Sequence, residues 1–183
     1  KRCKMPENDV VLELKQKAKE LRKAIITMIY NAQSGHPGGS LSEIDMLVAL
    51  YYYKLRIDPK NPKWEGRDRF VLSKGHASPG LYSVLADRGF FPKSELEGFR
   101  KIGRMLQGHP ELNVPGIEFA GGALGQGLSF ALGIALACRL DRKKCYVYAM
   151  IGDGESQEGA IWEASMAAVF HKLGNLIVIL DKN

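Results

Sequence analysis

Apolar residues recur at steps of three and four from Val11 through Leu14, Ala18, Leu21, Ile25 and Met28, with Lys and Glu between them. That spacing predicts a helix over residues 9–33 that turns one stripe toward a core. The pattern stops at Ser34-Gly35-His36-Pro37-Gly38-Gly39, which holds too many glycines for a helix and reads as a loop. Ser40-Leu41-Ser42-Glu43 has the form of a capping box and predicts a second helix running to about Lys54. Arg69–Leu72 reads as a short strand, Pro79 to Asp87 as a helix, and a short helix is expected after Ser94, with Glu97 as its capping partner. Residues 102–123 look irregular. Leu124 to Leu140 is apolar almost all round, which predicts a fully buried helix.

The last third has the clearest pattern. Cys145–Ile151 is an apolar run rich in β-formers, Gln157–Leu173 is helical with Gly174 as its stop, and Leu176–Leu180 is a second apolar run. Strand, helix and strand in about 40 residues make a βαβ unit with an expected right-handed crossover. Continuous rather than alternating apolar strands imply burial on both faces. The predicted fold class is therefore α/β, a parallel sheet covered by helices on both faces, with residues 1–183 forming one unit on a prior of roughly 100–200 residues per domain.

Composition narrows the function classes. The net charge is +6, with 45% hydrophobic and 25% charged residues, ordinary for a globular protein. The basic residues are scattered through Lys1–Lys23 and loops such as Lys60–Arg69 without a block of like charge, which argues against nucleic acid as partner. An acidic, phosphorylated metabolite remains compatible. No run approaches the length of a membrane span, and the basic start leads into polar residues, unlike a signal peptide. Cys3, Cys138 and Cys145 are odd in number and lack CxxC spacing, which points away from a disulfide framework or zinc site and toward a reducing cytoplasm.

The chemistry concentrates at strand tips. Gly152-Asp153-Gly154 ends one predicted strand, and Asp181-Lys182-Asn183 ends the next. Ligands of open parallel sheets bind beyond the carboxyl ends of the strands. If the two strands are neighbours about 5 Å apart, Asp153 and Asn183 reach one hard cation; Mg²⁺ suits few protein oxygens completed by phosphates and water. Glycines permit close approach, and the following helix offers free N–H groups to a phosphate. The alternative is a tight turn with a capping acid. Dinucleotide and Walker loops are absent: Gln157 stands where GxGxxG needs its last glycine, and Gly159 is followed by Ala160. Three of the four histidines follow glycine in loops, at His36, His76 and His109, as expected for imidazoles gathered at a polar site rather than loose on the surface. The fourth, His171, ends a helix and complements its dipole. A third glycine-rich loop, Gly121 to Gly127, serves either close helix packing or as a ledge for a flat ring.

GDGESQEG, followed by EAS and closing on LIVILDKN, resembles the thiamine-diphosphate motif that starts with GDG and ends near an Asn about thirty residues later. SGHPGGSLS, LSKGHASPGLY, QGHPE and GGALGQGLS together resemble transketolase, from about residue 20 to the end of the chain. The resemblance implies a thiamine-diphosphate-binding fold, with Asp153 and Asn183 holding Mg²⁺ (or Ca²⁺ or Mn²⁺). It implies that Gly154 and His76 bind the diphosphate, that Gly152 and Glu155 count among the cofactor contacts, and that Gly122 and Leu124 touch the rings. His36 and His109 would bind donor-sugar hydroxyls, and Glu158 and Glu163 would belong to a carboxylate chain linking paired sites.

The resemblance also implies a missing half, since the pyrimidine-binding domain is absent from these 183 residues. The expectation is that the native polypeptide continues past Asn183, and that the chain is the N-terminal subunit of a split transketolase, partnered by a C-terminal pyrimidine-binding chain. A homodimer of this chain within a heterotetramer, acting on phosphorylated sugars, is expected. The competing readings are a fragment of a longer enzyme, another thiamine-dependent enzyme such as a transketolase relative with a different acceptor or a deoxyxylulose-phosphate synthase, and a non-catalytic binding module. A metal-dependent phosphohydrolase would need a denser carboxylate cluster.

Overall fold

The computed structural model describes residues 8–183, so Cys3 lies outside the described residues. Helix α1 spans Asn8–Ala32 and buries Ala18, Leu21, Ile25 and Met28, the stripe that its apolar spacing predicts. Three parallel strands, β1 (Arg69–Leu72), β2 (Val147–Gly152) and β3 (Leu176–Asp181), pair in the order β1-β2-β3. Val147 aligns with both Arg69 and Leu176, so the three strands start level; β2 and β3 end together at Gly152 and Asp181, beyond the end of β1 at Leu72.

The strands feed two cores, which is why every residue of β1 and β2 is buried. Phe70, Leu72, Tyr148 and Met150 pack with α1, α3 (Ile44–Ala49) and α4 (Ser78–Arg88) on one face. Val71, Val147, Ala149 and Ile151 pack with α5 (Gln126–Leu140) and α6 (Gly159–Phe170) on the other. Helices thus cover both faces, as expected. β3 is different. Its Ile177 and Ile179 join the first core, while Val178 and Leu180 on the opposite face are exposed.

Several elements depart from the sequence pattern. Helix α2 (Pro37–Ser42) begins inside the expected glycine loop, because Pro37 supplies a pre-set φ at the first helical position. Ser40 is therefore no cap: its hydroxyl is buried and donates to the His36 carbonyl at 2.9 Å. Glu43 reaches no free N–H either, and the expected single helix is broken into α2, α3 and a π-turn over Leu50–Lys54. The turn over Lys93–Gly98 is a 3₁₀ helix without a side-chain cap, so Ser94 does not act as one. Helix α6 stops at Phe170, three residues short of Leu173, and the left-handed residue after it is Lys172, not Gly174.

The fully buried helix is α4 rather than α5. Every residue from Ser78 to Ala86 is buried. Its serines are tolerated there because Ser83 donates to the Gly80 carbonyl at 2.8 Å and Ser78 to that of Gly108 at 2.9 Å. Helix α5 buries one stripe, Gly127, Leu128, Ala131, Ala135 and Cys138, and leaves Phe130 and Leu140 exposed.

Glu43 occupies the space that glycine at position 80 leaves, where an added Cβ would lie 2.5 Å from Oε1. It is fully buried, and neither carboxylate oxygen has a hydrogen bond, although the Lys74 ammonium lies 3.1 Å from Oε2. Burial pushes this carboxyl up to about 8, against the pull of Lys74. The folded chain therefore holds the Glu43 proton more tightly than the unfolded chain does at its ordinary value near 4.5. That contribution to stability is present at low pH and declines as pH rises toward about 8. Urea unfolding should show wild-type stability falling across that window, with the fall reduced in Glu43→Gln. Equal slopes in the two proteins would contradict it.

Candidate functional site at the strand tips

The three glycine-preceded histidines converge at the carboxyl edge of the sheet. His36 caps the start of α2, and His76 sits in a 3₁₀ turn, Gly75–Ala77, that follows β1 directly. Their rings meet edge to face with centroids 5.3 Å apart. His109 lies on an irregular loop whose backbone α4 holds: the Tyr82 hydroxyl is 3.0 Å from the carbonyls of both Gln107 and His109. A Cβ added to Gly75 would stand 3.3 Å from the His109 ring, and one on Gly39 would stand 3.5 Å from His76 Nε2. Backbone without side chains is thus what lets the imidazoles close in.

For His76 and His109 the surroundings favour the neutral form. Burial depresses His76, and His36, Lys74 and His109 add to this. Burial also depresses His109, with help from Arg100 and His36. Near pH 7 each of the two rings therefore has one nitrogen that donates and one that accepts.

Beside the histidines lie the two strand tips. Gly152 pairs with Asp181 in the β2–β3 register, and the Asp153 amide donates to the Asp181 carbonyl at 3.1 Å. Asp153 and Asn183 thus emerge at adjacent tips. Asp153 is half-buried, while Gly154 and Asn183 are exposed. A Cβ added to Gly154 would meet nothing within 4 Å, so the space over this turn is open to a ligand. A carboxylate and an amide oxygen suit a hard divalent cation. Among the described residues no three His, Cys, Asp and Glu side chains gather around a metal position. The pair therefore fits a cation whose other positions are filled by further oxygens, such as those of a diphosphate.

Glu155 has a structural place in this turn. It is buried, and its carboxylate accepts from Ser73 Oγ at 2.5 Å, the Gly125 amide at 2.8 Å and the Gly152 amide at 3.1 Å. Its carboxylate faces inward and ties three segments together. Gly125 has φ +86°, and a Cβ there would lie 2.9 Å from that of Glu158, so only glycine brings this loop down onto α6. Glu155→Ala leaves three donors unpaired and should cost about 2 kcal/mol in urea unfolding. A loss below about 0.5 kcal/mol would refute the tie. Gly122 and Leu124 are exposed on the same loop, and Glu158 and Glu163 are exposed at the start of α6.

The sequence reading missed Lys74, Asp181 and the true place of Glu43. Lys74 is 1% exposed; its ammonium pairs with Asp181 and donates to the Gly39 carbonyl at 3.0 Å. Asp181 also accepts from Ser42 Oγ at 2.6 Å. This buried cluster locks β3's tip to β1's tip and to α2, directly beneath the histidines. The only hint in the sequence was a lysine at one strand tip and an aspartate at another.

The family described as "Transketolase, thiamine diphosphate binding domain" matches residues 14–183. A subunit of an apulose-4-phosphate transketolase from Phocaeicola vulgatus is 43% identical over 170 residues, covering 93% of this chain and 60% of that protein. The SqwG subunit of a 6-deoxy-6-sulfo-D-fructose transketolase from Clostridium sp. is 45% identical, covering 94% of this chain and 63% of its own length. Human transketolase is 41% identical, with 97% of this chain matching 29% of it. The crystal structure of transketolase from Campylobacter jejuni superposes with a TM-score of 0.89 at 41% identity, over 93% of this chain and 28% of that one. The chain thus spans about three fifths of the subunit relatives and under a third of the single-chain ones.

Proposed function

This chain belongs to the transketolase family through its thiamine-diphosphate-binding domain, and on that premise we propose that it is the diphosphate-binding part of a split transketolase. In this reading it transfers a two-carbon ketol unit from a ketose phosphate to an aldose phosphate, together with a C-terminal chain that supplies the pyrimidine-binding half. The observation that carries the reading is the pairing of the β2 and β3 tips, past which Asp153 and Asn183 lie, with three neighbouring histidines. The names of two relatives, each a transketolase subunit, support the division into two chains.

Asp153 and Asn183 would hold Mg²⁺, or Ca²⁺ or Mn²⁺ in its place, beside the cofactor's diphosphate. Gly152 and Gly154 would leave room for that group, and the Gly154 amide and His76 would donate to it. Gly122 and Leu124 would line its rings. When bound, thiamine diphosphate supplies a thiazolium that stabilises negative charge at carbon. His36 and His109 orient the sugar's hydroxyls, and a neutral imidazole among the three accepts or returns a proton near pH 7. Glu158 and Glu163 face outward, as a carboxylate chain toward a second copy requires.

An apolar surface supports a homodimer within a heterotetramer. Trp162, Met166, Val169 and Phe170 of α6 are all exposed, at helical spacing that puts them on one face, and an exposed apolar face of this kind marks an interaction surface. Among the described residues no helix is long and apolar enough to cross a membrane. We place the protein in the cytoplasm, on the pentose phosphate pathway, with no nucleic-acid partner.

The test is reconstitution. This 183-residue polypeptide alone should give no ketol transfer from a ketose phosphate, and activity should appear on adding a pyrimidine-domain chain. Turnover by the polypeptide alone would sink the split-site reading.

A further inference from the structure

At the opposite edge of the sheet from the cofactor site, the chain turns from the end of α5 into β2. Two buried thiols face each other across that turn. Cys138 and Cys145 are both free, with exposures of 5% and 3%, and their Sγ atoms lie 2.7 Å apart. The backbone on each side is pinned independently of the sulfurs. The Lys143 amide donates to the Cys138 carbonyl at 2.8 Å, and the Asp141 amide to that of Ala137 at 2.9 Å. On the strand side, the Tyr146 amide donates to Asp68 Oδ1 at 2.8 Å, and the Arg56 guanidinium donates to the Lys144 carbonyl. Closing a bond of about 2.05 Å therefore asks for side-chain rotation and little backbone movement.

Cys145 also lines a cavity of about 440 Å³ whose walls include Arg139, Lys143, Lys144, Lys172 and Asn175. Lys143 is paired with Glu65 and Asp141, at 3.4 and 3.2 Å. Arg139 donates to the neutral His171 carbonyl, so its charge and those of Lys144 and Lys172 leave the cavity net positive.

We propose that Cys138 and Cys145 are a redox-modification site, closed to an intrachain disulfide by exchange with an anionic low-molecular-weight disulfide that the basic cavity admits. Cys145, as thiolate, attacks one sulfur of the small disulfide, forming a mixed disulfide and releasing the first small thiolate. Cys138 Sγ then attacks Cys145 Sγ, forming the Cys138–Cys145 bond and releasing the second. The two protein sulfurs lose two electrons, the small disulfide gains them, and the two thiol protons end on the two small thiols. Cys138 fits the second role: burial, then its hydrogen bond with Cys145, holds its thiol above the ordinary value, so it is slow to react first. The site lies away from the cofactor edge and does not depend on the transketolase reading.

The experiment uses the 183-residue chain with Cys3→Ser as background. The chain is incubated with oxidised glutathione, alkylated under unfolding conditions, and mapped by mass spectrometry. The expected product links Cys138 to Cys145 with loss of two hydrogens, and Cys138→Ser instead accumulates glutathione on Cys145. Lys144→Glu with Lys172→Glu should slow the reaction about tenfold with oxidised glutathione and leave it unchanged with neutral hydroxyethyl disulfide. Full alkylation of both cysteines after exposure, with neither linkage nor adduct, would overturn the proposal. Equal slowing with both disulfides would overturn the role of the cavity's charge.

Discussion

Asp153→Ala is expected to weaken Mg²⁺-dependent binding of thiamine diphosphate at least about a hundredfold. The argument starts at the tip of β2, where Gly152 pairs with Asp181 and Asp153 emerges beside the end of β3. A hard cation held by few protein oxygens depends on each of them, and a carboxylate carries the only formal charge in this pair. The fold should be indifferent to the change. The backbone of Asp153, not its side chain, makes the bonds to Asp181, Ser156 Oγ and the Ser156 amide. Calorimetric titration alongside a urea curve separates the two effects, and undiminished affinity would remove Asp153 from the metal site.

Lys74→Met is expected to cost about 3–5 kcal/mol of stability, the range for removing one partner of a buried ion pair. Lys74 and Asp181 are 1% and 5% exposed at the side chain, so solvent screens neither charge. Without the ammonium, Asp181 keeps only Ser42 Oγ among its side-chain partners here. Glu43 adds less, because its carboxyl, pushed up to about 8, is largely protonated near neutrality. The double variant Lys74→Met with Asp181→Asn should recover part of the loss, since the orphaned charge is then gone. A single-variant loss below about 1 kcal/mol in urea unfolding would show that the cluster does not hold the strand tips.

The parts of this molecule that were legible in the sequence are those specified by neighbours in the chain. β2, the Gly152-Asp153-Gly154 turn, α6 and β3 follow one another within 40 residues, and each carries its own periodic or punctuation signal. The three histidines at the sheet's edge were legible too, because glycine precedes each one and that repetition needs no knowledge of the fold. What failed was what distant residues decide. Ser40-Leu41-Ser42-Glu43 has a capping-box pattern, yet Pro37 starts the helix earlier and Lys74 draws Glu43 inward. Glu155 sits in the cofactor-like motif, and the tie of its carboxylate to Ser73 and Gly125, from two other segments, was not legible there. Helix α4 hides its burial behind serines that bond to backbone, and α5 shows an apolar perimeter of which one side stays open. The Lys74–Asp181 pair spans 107 residues, so no window along the chain contains it.

The central claim is that this chain holds a metal-bridged diphosphate at its strand tips. Calorimetry with thiamine diphosphate and with thiamine, each with Mg²⁺ and with a chelator, tests it most directly. The account predicts binding heat only for thiamine diphosphate with Mg²⁺ present. Thiamine binding as tightly as its diphosphate, or diphosphate binding undisturbed by the chelator, would contradict it.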